Sequence, residues 1–276
     1  MKMVYRGMTR AALDAAYNNT LAVGDSAQLL AAFDARSARL RRERATALDL
    51  RYGPAPRNRI DYFAGAPGAP LLVFIHGGYW QMRAKETFSF VAEGPLAHGI
   101  HVALIGYTLA PDATLAAIVA EVRAAIAWLA EHADGYGGDA ARVYVAGWSA
   151  GGHLTAMCAG EPAVRGGLAI SGIYDLEPMR LCYLNEKLGM NAGDVEQLSP
   201  SRQLSCAPAP LMLAYGGAEL PELQRQSADY AAARAAAGLR GRLLRVEGCN
   251  HFTVLEQLAH PQGALTNLLL ELLSIT

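Results

Sequence analysis

The run Val143-Tyr144-Val145-Ala146-Gly147-Trp148-Ser149-Ala150-Gly151-Gly152-His153-Leu154 constrains the fold more than any other stretch of the chain. An apolar, β-branched segment reaches Gly147, and a helix-forming segment follows Ser149. The junction reads G-x-S-x-G, and a strand-to-helix turn is the setting in which such a serine stands exposed at the end of a sheet. Glycines at 147 and 151 suit a turn too tight for side chains at those two points. The helix that follows aims its N-terminus at the hydroxyl, which favours developing negative charge. The plainer alternative is a glycine-rich turn with a helix-capping serine. The strand before the turn and the helix after it favour the nucleophile.

The rest of the chain alternates strands and helices. A short helix capped by Thr9 runs to Tyr17, and a second spans Ser26 to about Arg44. The second helix places Leu29, Leu30, Phe33 and Leu40 at near-helical spacing and carries its arginines on the other face, read as solvated. Strands are expected around Ala47–Tyr52, Arg59–Phe63, Leu71–Ile75, Ile100–Tyr107, Val143–Gly147, Leu168–Ile173, Pro208–Tyr215 and Leu243–Val246. Helices are expected over Lys85–Ala97, Thr114–His132, the stretch after Ser149, Pro221–Ala237 and Gly263–Leu273. Residues 176–206 show no clean period and read as short helices over the sheet. The continuous apolar run Leu71–Ile75 suits a strand buried on both faces. The pattern predicts an α/β fold, a doubly wound, mostly parallel sheet with helices on both faces. Without an internal repeat, a low-complexity linker or a composition break, residues 1–276 read as a single domain.

Composition narrows the function classes. A formal net charge of −1 gives no electrostatic case for nucleic acid or an anionic membrane. No apolar run is long enough to span a bilayer, and the polar start from Met1 to Arg10 lacks the apolar core of a secretory signal. Cys158, Cys182, Cys206 and Cys249 are scattered, form no C-x-x-C pair or zinc spacing, and read as buried thiols of a cytoplasmic protein. No metal or cofactor is expected. The sequence leaves assembly as a homodimer open.

A serine hydroxyl is a poor nucleophile until a base takes its proton, and that base is normally a histidine held by a carboxylate. Where the serine occupies such an elbow, the order along the chain is serine, acid, histidine. His251, in the loop after Leu243–Val246, is the candidate base; His260 reads as surface. Glu219 follows the penultimate strand and is the candidate acid, with Asp175, after the preceding strand, as runner-up. Asp194 and Asp229 read as solvated. His76-Gly77-Gly78-Tyr79-Trp80 ends the strand expected beside the nucleophile strand. The N–H groups of Gly78 and Tyr79, with Gly77 making room, would join that of Ala150 in an oxyanion hole. His76 and His153 read as structural. Tyr79, Trp80 and Trp148 are candidates to line a flat pocket, with core packing as the alternative for each.

These stretches resemble the α/β-hydrolase type of arylformamidase (kynurenine formamidase), close to the hormone-sensitive-lipase-like esterases. The resemblance lies in His76–Gln81 (HGGYWQ), Gly147–Gly151 followed by His153-Leu154, Ser171–Pro178 (SGIYDLEP), Pro221–Ser227, His251-Phe252 and the early Leu13–Asn18. It implies an α/β-hydrolase fold with a small cap from the N-terminal helices and the 176–206 region. It also implies metal-independent hydrolysis of N-formyl-kynurenine or a related aryl formamide, a step of tryptophan catabolism. It carries the nucleophile to Ser149, the base to His251 and the triad acid to Glu219, where the family usually has aspartate. The first expectation is therefore a serine hydrolase that cleaves small aryl formamides through an acyl-enzyme. The nearest rival is a general carboxylesterase acting on short-chain aryl esters, and the most distant is a non-catalytic small-molecule binder on the same fold.

Overall fold

The computed structural model describes residues 2–276. The chain opens with a small hairpin, β1 (Met3–Tyr5) and β2 (Met8–Thr9), which the sequence pattern does not announce. Helices α1 (Arg10–Ala16), α2 (Asn19–Ala22) and α3 (Ser26–Arg44) follow. Thr9 caps α1 by accepting from Ala12 N, as expected. The main sheet is built from β3 (Ala47–Arg51), β4 (Arg59–Phe63), β5 (Ala69–Ile75), β6 (His101–Ile105), β7 (Gly138–Trp148), β8 (Val164–Ile170), β9 (Leu211–Gly216) and β10 (Leu243–Val246). Between them lie a 3₁₀ segment (Lys85–Ala92) running into α4 (Glu93–Ala97), then α5 (Leu115–His132), α6 (Ala150–Cys158), the short helices α7 (Glu177–Leu181), α8 (Asn185–Leu188) and α9 (Ala192–Leu198), and α10 (Pro221–Ala236). Helices α11 (Glu256–Ala259) and α12 (Ala264–Ser274) close the chain.

The strand order is β10-β9-β8-β7-β5-β6-β4-β3. Pairing is parallel from β10 to β6, and antiparallel at β6–β4 and β4–β3. Buried parallel strands must be apolar on both faces, and the pleat divides each run by period 2. Leu71, Val73 and Ile75 of β5 join Val143 and Val145 of β7 in one core, with α1, α5 and part of α6. Leu72 and Phe74 join Tyr144, Ala146 and Trp148 in the opposite core, with α3, the 3₁₀ segment and α12. Burying the five residues Leu71–Ile75 contributes on the order of 10 kcal/mol. The sequence-expected strands at 168–173 and 208–215 are displaced toward Val164–Ile170 and Leu211–Gly216. Where a buried strand ends is set by its neighbours' ladder bonds, which periodicity does not encode.

Two sequence expectations need correction. The arginines of α3 are not simply solvated. Arg36 donates to both oxygens of Glu256 (2.8 and 2.6 Å) and to Glu93 (2.7 Å), and its guanidinium lies over the Phe90 ring, while Arg41 donates to buried Asp61 (2.8 Å). These pairs fasten α3 to α4, α11 and the sheet. Nor are all the cysteines buried: Cys158 and Cys182 are, Cys206 is exposed and Cys249 is half-buried.

Two buried histidines pack beside the turn after β5 and on α6. His76 Nδ1 sits 2.7 Å from Gly77 O, and His153 Nε2 sits 2.8 Å from Leu198 O. Burial pushes both down to a pKa of about 4 from the ordinary 6.5. The unfolded chain therefore takes up protons at these sites that the folded chain refuses. The stability this confers is present above pH 6.5 and is lost as pH falls toward 4, by about 2 kcal/mol per histidine at pH 5. The urea midpoint should fall between pH 7 and pH 5, and His153→Gln should flatten that slope. A midpoint that does not move over that range would contradict neutral burial of both rings.

Candidate active site

The turn between β7 and α6 holds Ser149 at φ 59°, ψ −117°, a left-handed conformation that costs a non-glycine residue about 1–3 kcal/mol. Close backbone contacts hold it there. A Cβ on Gly147 would lie 2.2 Å from Gly151 O, and one on Gly151 would lie 2.0 Å from Ile75 O. Both glycines are thus required by the approach of the elbow to itself and to β5. Ser149 N donates to Ile170 O (2.8 Å), which ties the turn to β8 as well. The serine is only 2% exposed and stands at the first turn of α6.

His251 follows β10 in a turn organised by Asn250, whose Oδ1 accepts from Phe252 N and Thr253 N, both at 2.9 Å. Trp148 Nε1 donates to His251 O (2.8 Å), linking the histidine's backbone to the residue before the serine. His251 Nδ1 lies 2.9 Å from Glu219 Oε2, and both side chains are buried. An ionised carboxylate only accepts, so Nδ1 carries the proton and Nε2 is left as the free base. Glu219 Oε1 accepts from Ser171 Oγ (2.5 Å) and Gly216 N (2.6 Å). Three donors therefore offset the cost of burying this carboxylate. Asp175 makes no contact with the histidine: it accepts from Tyr5 Oη (2.9 Å) and pairs at longer range with Arg202. Ser149 and His251 line the same cleft. No hydrogen bond joins their side chains among the described residues, a looseness common before substrate enters.

The turn after β5 lies beside Ser149, because β5 and β7 pair through Ile75 and Gly147. A Cβ on Gly77 would lie 2.6 Å from Trp148 Cε3, so only glycine allows the turn so close to the elbow. Gly78, Tyr79 and Trp80 all have positive φ (115°, 49° and 59°). Among the described residues, the N–H groups of Gly78, Tyr79 and Ala150 donate no hydrogen bond within the chain. Unused donors beside a serine hydroxyl can stabilise an oxyanion. Tyr79 Oη donates to Tyr17 O (2.6 Å) and accepts from Asn19 Nδ2 (2.9 Å), so the N-terminal helices brace this turn.

The cleft has a volume of about 30 Å³ and is lined by Tyr79, Trp148, Ser149, His251 and Phe252, with Asn19, Thr20, Gly78, Met82 and Arg83 completing it. Trp80 is not among them. It is fully buried, with its ring edge-on to His153 at 5.0 Å, because the strained turn folds it inward onto α6. Asn19 and Thr20 of α2 line the cleft, whereas residues 176–206 do not; they pack on α1, α6 and the glycine turn, where Tyr183 N donates to Asp14, His153 Nε2 lies 2.8 Å from Leu198 O and Gln81 Nε2 donates to Leu184 O. A larger hollow of about 340 Å³ lies between β9 and α10, lined largely by alanine, leucine and arginine. It contains no nucleophile or base. Sequence reasoning gave no role to Ser171, Asn19 or Arg83. Ser171 stood in a quoted motif, but only the fold brings it to Glu219, 48 residues away.

Known proteins match this chain over most of its length. A family model described as the prolyl oligopeptidase family matches residues 116–257, and one described as BD-FAE matches residues 63–166. The kynurenine formamidase of Danio rerio is 32% identical over 244 residues, 83% of this chain and 82% of that one. The esterase LipQ of Mycobacterium tuberculosis is 32% identical over 49% of this chain and 37% of its own. Among solved structures, a Silicibacter protein provisionally called a thioesterase superposes with a TM-score of 0.84 at 30% identity, covering 93% of this chain and 98% of that one. An esterase of Pyrobaculum calidifontis shares the fold, with a TM-score of 0.72 at 21% identity over 90% of this chain and 91% of that one.

The pairing of carboxylate and histidine makes a ranking. Glu219→Gln should lower turnover of an aryl ester probe by on the order of 10³-fold or more, since the amide no longer fixes the imidazole tautomer. Asp175→Asn should change it by no more than about threefold, within the effect of a surface substitution. Steady-state kinetics on the two purified variants reads the order, and the reverse order would move the acid to Asp175.

Proposed function

The chain belongs to the kynurenine formamidases by 83% of its length and to the prolyl oligopeptidase family by residues 116–257, and we propose that it hydrolyses small aryl formamides, N-formyl-kynurenine first among them. The enzyme is an α/β-hydrolase of formamidase or esterase type. The finer reading rests on one observation above all. A strained serine shares a cleft of about 30 Å³ with a histidine whose other nitrogen is bonded to a buried carboxylate.

In this reading Ser149 Oγ attacks the formyl carbon while His251 Nε2 takes its proton. The N–H groups of Gly78, Tyr79 and Ala150 stabilise the oxyanion, and Gly77 leaves room for it. Collapse of the tetrahedral species breaks the C–N bond, and His251 returns the proton to the departing arylamine. Water, deprotonated by the same histidine, then attacks the formyl ester, releasing formate and restoring Ser149. Glu219 holds the imidazole in its tautomer throughout. The absence of disulfide pairing among Cys158, Cys182, Cys206 and Cys249 favours a reducing, cytoplasmic setting.

Ser149→Ala should cost on the order of 10⁴-fold or more in turnover, and near-normal activity in that variant would sink the mechanism. Substrate identity needs a panel. The ratio kcat/KM should be higher for N-formyl-kynurenine than for acetanilides or short-chain aryl esters. The opposite ranking would make the chain the carboxylesterase that its likeness to LipQ also suggests.

A further inference from the structure

Arg83 stands out in the cleft wall. It lines the cavity that contains Ser149 and His251, and no Asp or Glu lines that cavity with it. Its guanidinium makes no hydrogen bond or ion pair among the described residues, although the side chain is half-buried. Most other arginines in the chain are paired, such as Arg36, Arg41, Arg180, Arg225 and Arg242. Removing a cation partly from water without a partner costs free energy. The partial burial of Arg83 pulls its pKa below the ordinary arginine value, with Asp34 only a distant counterweight.

The backbone at this position is strained as well as the side chain. Arg83 sits at φ 77°, and its carbonyl is pinned by Arg57 Nη2 at 2.6 Å. Its stem passes the glycine turn: a Cβ on Gly78 would lie 2.8 Å from Arg83 Cγ. The arginine is thus held beside one of the proposed oxyanion donors, and a strained residue fixed at such a place is a candidate for function. Across the cleft, Asn19 gives its Nδ2 to Tyr79 Oη, while its buried Oδ1 has no partner. The wall therefore holds one unspent cation and, enclosed just behind its surface, one unspent acceptor.

We infer that Arg83 is a specificity-determining residue that binds a carboxylate carried by the substrate outside the scissile group, with Asn19 Oδ1 taking an N–H of the same molecule. The substrate class is an aryl formamide or ester bearing an anionic arm, and an amino-acid side arm, with both a carboxylate and an ammonium, meets both groups. The guanidinium fork suits a carboxylate's two oxygens. The inference rests on the reading of the Ser149 cleft as the catalytic site.

The test compares each carboxylate substrate with its carboxamide. One pair is N-formyl-kynurenine and its α-carboxamide. The other is a phenyl acetate with an ortho propionate arm and its propionamide, so the ratio can still be read if the formamide is not hydrolysed. In the wild type, kcat/KM for the acid should exceed that for the amide by about tenfold or more. In Arg83→Gln and Arg83→Met the ratio should fall to within about twofold of unity; methionine keeps the stem's packing against Gly78 should glutamine fold poorly. A wild-type ratio near unity in every hydrolysed pair, or a ratio that survives in a folded neutral variant, would overturn the inference. Hydrolysis of the acetates alone, with the ratio intact, would overturn the formamidase reading and leave Arg83's role standing.

Discussion

The structure depends on how closely three stretches of backbone approach one another at the carboxyl end of the sheet. β5 and β7 pair as far as Ile75 and Gly147, the chain then turns back through Ser149, and α6 starts at Ala150. The turn is so tight that side chains are excluded at Gly77, Gly147 and Gly151, where an added Cβ would meet neighbouring atoms at 2.0–2.6 Å. The strain at Ser149 follows from that crowding, and the two strands, buried on both faces, hold it in place. A serine on a loop without this support would relax out of the left-handed region. The two hydrophobic cores thus do more than stabilise the fold, because they prevent the one residue with unfavourable backbone geometry from escaping it.

The same crowding explains which parts of the site were legible in the sequence. The elbow and the glycine turn were legible because their requirement is local: glycine at fixed offsets from an apolar strand. Glu219 and His251 were legible as candidates because chain order and strand ends place them at one edge of the sheet. What chain order could not decide was which acid faces the imidazole. That choice depends on β9 and β10 lying in register, with Glu219 folded back on Gly216 N. Trp80 misled for a related reason. Its neighbour Tyr79 lines the cleft, while three consecutive positive φ values send Trp80 inward onto His153 by a route no period describes. The arginine face of α3 misled because a helix's outer face looks the same in sequence whether it meets water or Glu93 and Glu256.

Burial sorts the histidines near the elbow into different chemistry. His76 is enclosed with Gly77 O and the Tyr107 hydroxyl as partners and His153 with Leu198 O, and burial without a counter-charge keeps both neutral. His251 alone of the three has a carboxylate at hydrogen-bond distance. An imidazole that must gain and lose a proton needs a nearby negative charge to stabilise the cationic form, and a buried ring without one cannot do so at neutral pH. Position near Ser149 therefore does not single out one histidine, whereas a carboxylate partner on Nδ1 does. Ser171 enters here as a positioning residue: at φ 51° its hydroxyl reaches Glu219 Oε1, leaving Oε2 for the histidine.

The cleft's size sets the last constraint. The cleft beside Ser149 is narrow, with about 30 Å³ open to the centre of a water-sized sphere. Met82 and Phe252 line the cleft on one side and Asn19 and Thr20 of α2 on another. That helix has only four residues, and Leu21 on its outer side is 78% exposed. The contact from Asn19 to Tyr79 Oη anchors it to the glycine turn, and Tyr79 Oη to Tyr17 O ties that turn to the end of α1. A substrate arm that engages Asn19 Oδ1 and Arg83 would therefore act on the same short helix that lines the serine's cleft. Under the proposed roles, recognition of the arm and access to Ser149 become one event, because Asn19 belongs to a segment that lines the serine's cleft.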